Sequence, residues 1–365
     1  MNLTTNLGAL KLANPLLPAS GPLSGDADRL LWLDGQGVGA LVTKTISTKA
    51  ADVPRPCIAG GRDWLHNAEL WSEFSPDEWV GQFLPEVKKK SSTPLIVSVG
   101  YTQTDLEALV PRLEPFADAF EVSTHYVGTD LAAIGRTVEA IRRLTAKPVF
   151  LKVSPHLPDP VAFARTVLSA GATGVAAINS LGPTLGIDLA TRSVAWGNPQ
   201  GEVWTSGPVI KPLALALVRR IKDAEPGCVV IGTGGVQSAE DVLEFLLAGA
   251  DAVQMLSAAL LKGKDLYAKI LAALPATLEK FGFASVADAT AARLKPYTPR
   301  WEPRVAVVDK ATCTRCGLCE KICPYFAMTQ AKGKAAQADP KLCFGCGLCQ
   351  SRCPVGAISG PLTAG

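Results

Sequence analysis

Eight of the chain's ten cysteines stand in two matched combs, Cys313-x2-Cys316-x2-Cys319-x3-Cys323-Pro324 and Cys343-x2-Cys346-x2-Cys349-x3-Cys353-Pro354. A cubane cluster needs four converging thiolates. A C-x2-C-x2-C comb supplies three of them, and the cysteine before the proline reaches across to the other cube. The spacing therefore assigns Cys313, Cys316, Cys319 and Cys353 to one [4Fe-4S] cluster, and Cys343, Cys346, Cys349 and Cys323 to a second. Structural zinc uses two C-x-x-C pairs rather than triple combs. A disulfide framework belongs to oxidising compartments, and the opening residues carry no signal-peptide pattern, so a reducing cytoplasm is the expected home.

A second set of chemistry-bearing residues lies well before the combs. Gly234-Gly235 follows the apolar run CVVIGT and precedes SAEDVLEFLLAGA, a segment with the Ser238/Asp241 form of a helix N-cap and capping box and with Gly249 to close it. Paired glycines ahead of a helix N-terminus let backbone N–H groups approach a phosphate closely. Two lysines, Lys44 and Lys152, sit inside apolar runs, as VTKT and FLKVS. A lysine in such a run is costly to bury unless it faces an anion or a strong acceptor. One alone reads as a snorkelling surface residue. Two, together with a phosphate cradle, point to flavin mononucleotide: one lysine at the N1–C2=O edge of the ring, the other near N5 or the substrate.

The elements that must position these groups are legible as alternating strands and helices. Eight short apolar runs read as strands: NPLLPAS, GALVTKT, PLIVSVG, AFEVST, PVFLKVS, TGVAAINS, CVVIGTGG and AVQML. Amphipathic stretches such as DLAAIGRTVEAIRRLTA and DPVAFARTVLSAGA separate them. Eight such units over about 250 residues match an α/β fold of the (β/α)8 TIM-barrel type. The absence of a GxGxxG turn after the first strand weighs against a doubly wound sheet. The expected organisation is a barrel over residues 1–290, a linker over 291–303, and a C-terminal two-cluster, bacterial ferredoxin-like domain over 304–365. Residues 181–205, rich in glycine, read as a long loop acting as a lid. In it, Trp196 and Trp204, with Trp71 elsewhere, are candidates to stack on a planar substrate.

Bulk properties exclude several function classes. The 365 residues are 48% hydrophobic and 19% charged, which leaves ample core. The net charge of +3 is concentrated in the tail: residues 300–365 carry nine Lys/Arg against four Asp/Glu. Two cubes with their thiolates offset most of that, at about −2 each. The basicity is therefore no argument for nucleic acid. The longest apolar run, FLLAGADAVQMLSAALL, is broken by Gly249 and Asp251, so no membrane span is expected.

LKLANPLLPASGP, VTKTIS, LHNAELWSE, FLKVSP, AINS, SGPVIKPLAL, GTGGVQSAED and AVQMLSA, in this order, resemble the class 1 dihydroorotate dehydrogenase family. VAVVDKATCTRCGLC resembles its ferredoxin-bearing branch, which includes the C-terminal half of dihydropyrimidine dehydrogenase and a related bacterial subunit. The resemblance implies that Ser20, Lys44 and Thr45 line the isoalloxazine ring of FMN and that Lys152 meets its pyrimidine edge. It further implies that Gly207, Gly234, Gly235, Leu256 and Ser257 hold the ribityl phosphate. Asn67, Asn179 and Ser180 fall where the family binds a pyrimidine ring, a task suited to amides because each offers both a donor and an acceptor. The chain departs from the pattern after the fourth strand. The family's Asn-Leu-Ser-Cys-Pro becomes Ser123-Thr124-His125-Tyr126-Val127, with Tyr126 in place of the acid/base cysteine, and Ser123 and Gly128 in place of two amides. Histidine or tyrosine can protonate a developing carbanion.

The expected activity is reduction or oxidation of a C=C/CH–CH bond in a planar cyclic substrate. Hydride would pass through the FMN N5, a proton would come from His125 or Tyr126, and Lys44 would sit beside the reacting ring. Electrons are expected from a donor subunit or a soluble ferredoxin, since the chain has no nicotinamide fingerprint of its own. A homodimer is implied by the resemblance. The two rival readings are a dihydroorotate or dihydropyrimidine dehydrogenase, and an electron-transfer subunit whose barrel chemistry is altered.

Overall fold

The computed structural model describes residues 1–100, 102–124 and 130–362. They pack as two compact units, Met1–Leu294 and a second beginning at Lys295. Among the described residues of the first unit, eight parallel strands form one sheet: β1 (Leu16–Pro18), β2 (Leu41–Val42), β3 (Leu95–Val99), β4 (Ala119–Ser123), β5 (Val149–Val153), β6 (Gly174–Ala177), β7 (Val229–Thr233) and β8 (Ala252–Met255). Each falls within one of the eight apolar runs. Neighbours follow the order β2-β3-β4-β5-β6-β7-β8-β1. Across the remaining seam the Gly39 amide donates to the Leu16 carbonyl at 2.8 Å. The result is a (β/α)8 barrel.

Helices α1 (Ala27–Asp34), α2 (Leu84–Lys90), α3 (Gln103–Leu113), α4 (Leu131–Leu144), α5 (Pro160–Ser169), α6 (Lys211–Ala224), α7 (Ala239–Ala248) and α8 (Leu266–Lys280) alternate with the strands. Their starts are written in the sequence. Asp130 and Asp159 accept from the first free amides of α4 and α5, and Pro160 occupies a position where its missing N–H costs nothing. In α4, Ile134, Thr137, Val138 and Ile141 are buried while Arg136, Glu139 and Arg143 are exposed, an amphipathic stripe at helical period. Ser238 caps α7 by accepting from the Asp241 amide, and Gly249 ends the helix in the left-handed region at φ 110°. The other half of the expected capping box does not form: the Asp241 carboxylate accepts from the Gln237 amide instead, at 2.8 Å.

The barrel interior is layered by the two-residue period of its strands. Leu17, Val42, Ile96, Ala119, Phe150, Ala176, Ile231 and Ala252 form an apolar layer, joined by Leu7 and Leu12. The last two come from an N-terminal antiparallel hairpin, Thr5–Leu7 paired with Leu10–Leu12, that packs against the same layer. Two residues further along six strands stand Lys44, Ser98, Glu121, Lys152, Thr233 and Gln254, all buried and all polar. The apolar layer stabilises the barrel, and the polar layer faces its C-terminal end, where barrel active sites lie.

Residues 181–205 are not the loop expected from their glycine content. They contain strands Leu181–Thr184, Ile187–Asp188, Ser193–Val194 and Val203–Ser206. The first and last of these join Leu65–Asn67 and Ile58–Gly60 in a four-stranded antiparallel sheet, with Trp204 opposite Asn67 and Thr205 opposite His66. Gly182 and Pro183 mask the strand propensity, and the pairing partner lies some 140 residues away in sequence, beyond any local signal.

The second unit contains two short antiparallel pairs, Val307–Val308 with Ile358–Ser359 and Met328–Thr329 with Gln337–Ala338. One short helix lies within each comb and carries its third cysteine, Leu318–Lys321 with Cys319 and Leu348–Arg352 with Cys349. Its buried core is Ala306, Met328, Ala336, Cys349 and Ile358. A core that small does not hold a domain of this size without covalent or metal staples.

Candidate active site

A cleft enclosing about 1210 Å³ of empty space, part of it open to solvent, lies at the C-terminal end of the strands. Ser20, Lys44, Thr45, Asn67, Ser123, Lys152, Asn179, Ser180, Gly234, Gly235, Leu256 and Ser257 all line it. Gly207 does not line it. Its carbonyl instead backs the glycine turn, 3.0 Å from where a Cβ on Gly235 would stand. His125 and Tyr126 lie outside the described residues.

Lys152 is the most tightly specified charge in the cleft. Its Nζ donates to Gln254 Oε1 at 2.6 Å and lies 3.5 Å from Glu121 Oε1. Gln254 is fully buried and held in one orientation: its Nε2 donates to Glu121 Oε2 at 2.7 Å, while its Oε1 also accepts from Thr233 Oγ1 at 2.9 Å. Burial pushes Lys152 below the usual ammonium range, and the neighbouring Glu121 carboxylate pulls it back up. Glu121, Thr233 and Gln254 were not anticipated. The signal was present in AFEVS and AVQM, where a polar residue shares the strand face that the small apolar residue two places earlier turns inward.

Lys44 departs from expectation in its partners. Its Nζ donates to Glu69 Oε1 and to Glu73 Oε2, both at 2.8 Å, and the lysine itself is 2% exposed. Burial raises the Glu69 carboxyl, with Lys44 opposing. At the more exposed Glu73, burial also pushes upward, but the hydrogen bond and charge of Lys44 together outweigh it and the net shift is down. Two carboxylates thus share the Lys44 ammonium, with Arg29 as a further positive charge near both, and of the two Glu69 lines the cleft. Neither glutamate carried a periodic signal, since both lie in the connection after Asn67.

The glycine turn fits a phosphate. Gly235 holds φ 77°, and a Cβ there would stand 2.7 Å from Lys211 Cβ and 3.0 Å from the Lys211 amide nitrogen. Gly234, at φ 125°, is backed by Ala214 and Ile210. Ser206 and Ser257 share a hydroxyl hydrogen bond of 2.7 Å nearby on the cleft wall. Such a surface of bare backbone and hydroxyls, beside β7 and β8, is what a ribityl phosphate requires. Above it, Asn67 Nδ2 donates to the Trp204 carbonyl at 3.4 Å, and Trp71 and Trp204 line the cleft. Trp196 is not among the lining residues. His66 stacks on Trp64, with ring centroids 4.2 Å apart, and burial pushes it below the usual imidazole range. His156 accepts the Gly182 amide at its Nε2, tethering the first strand of the 181–205 segment.

In the second unit, Cys313, Cys316, Cys319 and Cys353 line one recess, which Cys349 also borders. Cys323, Cys343, Cys346 and Cys349 line another. Each comb thus meets the last cysteine of the other. The Cys323 and Cys353 sulfurs accept the amides of Ala327 and Ala357, at 3.3 and 3.2 Å, contacts of the kind that stabilise cluster thiolates. The donor set and its grouping fit iron–sulfur cubes.

Comparison with known proteins places these features in context. The family described as dihydroorotate dehydrogenase matches residues 2–278, and the 4Fe-4S dicluster domain matches residues 312–357. The catalytic subunit of dihydroorotate dehydrogenase B (NAD(+)) from Pelobacter propionicus is 32% identical over 299 residues, covering 79% of this chain and 97% of that protein. The corresponding subunit from Pyrococcus horikoshii is 31% identical, covering 80% of this chain and 98% of that protein. Dihydroorotate dehydrogenase A (fumarate) from Lactobacillus helveticus is 31% identical, covering 79% of this chain and 97% of that protein.

Proposed function

We propose, for a chain that belongs to the dihydroorotate dehydrogenase family and also carries a 4Fe-4S dicluster domain, that it is an FMN- and iron–sulfur-dependent oxidoreductase reducing a carbon–carbon double bond in an uncharged planar ring. The observation that carries this reading is a single cleft that combines a buried lysine, a bare glycine cradle and convergent amides. Bound there, FMN supplies two-electron exchange with a carbon–carbon bond and one-electron exchange with iron–sulfur clusters.

The chain's own residues divide the remaining work. Lys152 presents its charge to the pyrimidine edge of the flavin, and Ser20 and Thr45 border the ring. The backbone at Gly234 and Gly235 receives the phosphate, with Leu256 and Ser257 beside it. Asn67, Asn179 and Ser180 orient the substrate ring by its amide edges, with Ser123 beside them. His125 or Tyr126 holds the proton that passes to the substrate carbon. Cys313, Cys316, Cys319 and Cys353 would hold one cube and Cys323, Cys343, Cys346 and Cys349 the other, a pair that would supply one-electron transfer from a donor subunit or a soluble ferredoxin. Two copies of the chain form the working enzyme in the cytoplasm.

The test is composition followed by reduction. Anaerobically prepared protein should hold one FMN and about eight irons per chain, and its flavin should bleach with reduced ferredoxin but not with NADPH alone. Iron and sulfide without FMN, even after reconstitution, would sink the reading.

The names of the relatives favour dihydroorotate as the alternative substrate. The paired glutamates on Lys44 argue against it, because they repel a carboxylate and occupy the ammonium that would receive one. Wild-type protein is therefore expected to bind uracil more tightly than orotate in equilibrium dialysis. The double variant Glu69→Gln/Glu73→Gln is expected to tighten orotate by about tenfold, roughly 1.4 kcal/mol. Preferential binding of orotate by the wild type would move the assignment to the alternative.

A further inference from the structure

We propose that Glu121, acting through Gln254, is the residue that keeps Lys152 charged and aimed into the cleft, and that it thereby sets how strongly the site favours an electron-rich flavin. Glu121 does not line the cleft, whereas Lys152 and Gln254 do. It is a positioning residue, one step removed from the ring.

The argument is geometric. An ammonium has three donors. On Lys152 one is taken by Gln254 Oε1 at 2.6 Å and a second faces Glu121 Oε1 at 3.5 Å, which leaves the third for the cleft. Gln254 cannot turn to offer its NH2 group to the lysine. Its Nε2 is committed to Glu121 at 2.7 Å, and its Oε1 receives Thr233 Oγ1 as well. The carboxylate therefore works in two ways: it supplies the countercharge, and it locks the amide so that an acceptor faces the lysine.

The four residues come from β4, β5, β7 and β8, so the arrangement is fixed by the barrel and not by a loop. All four are at most 8% exposed, so bulk water is a poor substitute for the carboxylate as a partner. In such surroundings an ammonium without its countercharge gives up its proton readily, and burial already depresses Lys152. Glu121→Gln should lower the pH of that deprotonation further.

This inference rests on the cleft being the flavin seat, and the experiment separates the two. Sulfite adds to N5 of oxidised flavin and leaves negative charge on the ring, so its affinity reports nearby positive charge without any turnover. Sulfite dissociation constants, corrected for bisulfite ionisation, would be measured on FMN-loaded wild type, Glu121→Gln, Glu121→Asp and Lys152→Met between about pH 6 and about pH 8.5.

Wild type is expected to be flat across this range and Lys152→Met flat but at least about tenfold weaker. Glu121→Gln is expected to move from the wild-type value at low pH toward the Lys152→Met value at high pH, and Glu121→Asp to stay near wild type. A flat Glu121→Gln at the wild-type value overturns the inference. If Glu121→Gln does not fold, Gln254→Leu takes its place, and a flat, wild-type response there is equally fatal. If Lys152→Met binds sulfite like wild type, the seating of the flavin beside Lys152 fails and the inference with it, whereas a failure of the wild type to load FMN at all would sink the flavin reading itself.

Discussion

Gly235→Ala is expected to yield a folded barrel that no longer retains FMN. The glycine holds φ 77°, where a side chain costs about 1–2 kcal/mol in local strain. That is a survivable cost for a unit with a core of this extent. The larger effect is steric and local. The new Cβ would sit 2.7 Å from Lys211 Cβ and 3.0 Å from both the Lys211 amide nitrogen and the Gly207 carbonyl. Two of those three atoms are backbone, so relief requires the turn itself to move. Since the turn is the proposed phosphate cradle, its amides lose their aim. Flavin content per chain after anaerobic reconstitution should fall at least tenfold, while far-ultraviolet circular dichroism and the melting transition stay close to wild type. Full flavin content would mean that the phosphate is held elsewhere.

Loss of the proton donor should cost more. Positioned acid catalysis contributes typically 10²–10⁴-fold, and the segment that replaces the family's cysteine offers His125 and Tyr126 for the role. One of Tyr126→Phe and His125→Ala is expected to lower uracil turnover, driven by an artificial electron donor, by about that factor. The other should remain within about threefold of wild type. The pH profile identifies which. An imidazolium donor gives a rate that falls as pH rises through about 6.5, whereas a phenol holds its rate to about pH 9. Unimpaired turnover in both variants would remove the segment from catalysis and place the proton donor elsewhere in the cleft, whereas an absence of turnover already in the wild type would favour the reading of the chain as an electron-transfer subunit.

The barrel was legible in the sequence because parallel strands buried on both faces are written as continuous apolar runs, and all eight stood out. Part of the cleft followed for the same reason: strand ends at the C-terminal mouth project inward on a two-residue period, which places Lys44 and Lys152, whereas Thr45 followed only from the family resemblance. What the sequence concealed depends on contacts between distant segments. Glu69 and Glu73 reach Lys44 across 25 and 29 residues of chain that include two strands of the antiparallel sheet, and nothing in LHNAELWSE indicates that its acids turn toward a lysine just past β2. The antiparallel sheet over the mouth was hidden likewise, its strands pairing residues near 66 with residues near 205. The Glu121–Gln254–Lys152 group lay between these cases. Each member sits at a readable inward position, but the linkage among three strands appears only once the sheet has curled.

The N-terminal hairpin gives the barrel a blind end. Leu7 and Leu12, seated against Phe150 and its neighbours, pack an apolar plug into that end of the cylinder. Reactant and product must then use the same doorway, so the spent ring has to back out before a fresh one can enter. The strands Leu65–Asn67 and Val203–Ser206, which border that doorway, are placed to set the pace of the exchange.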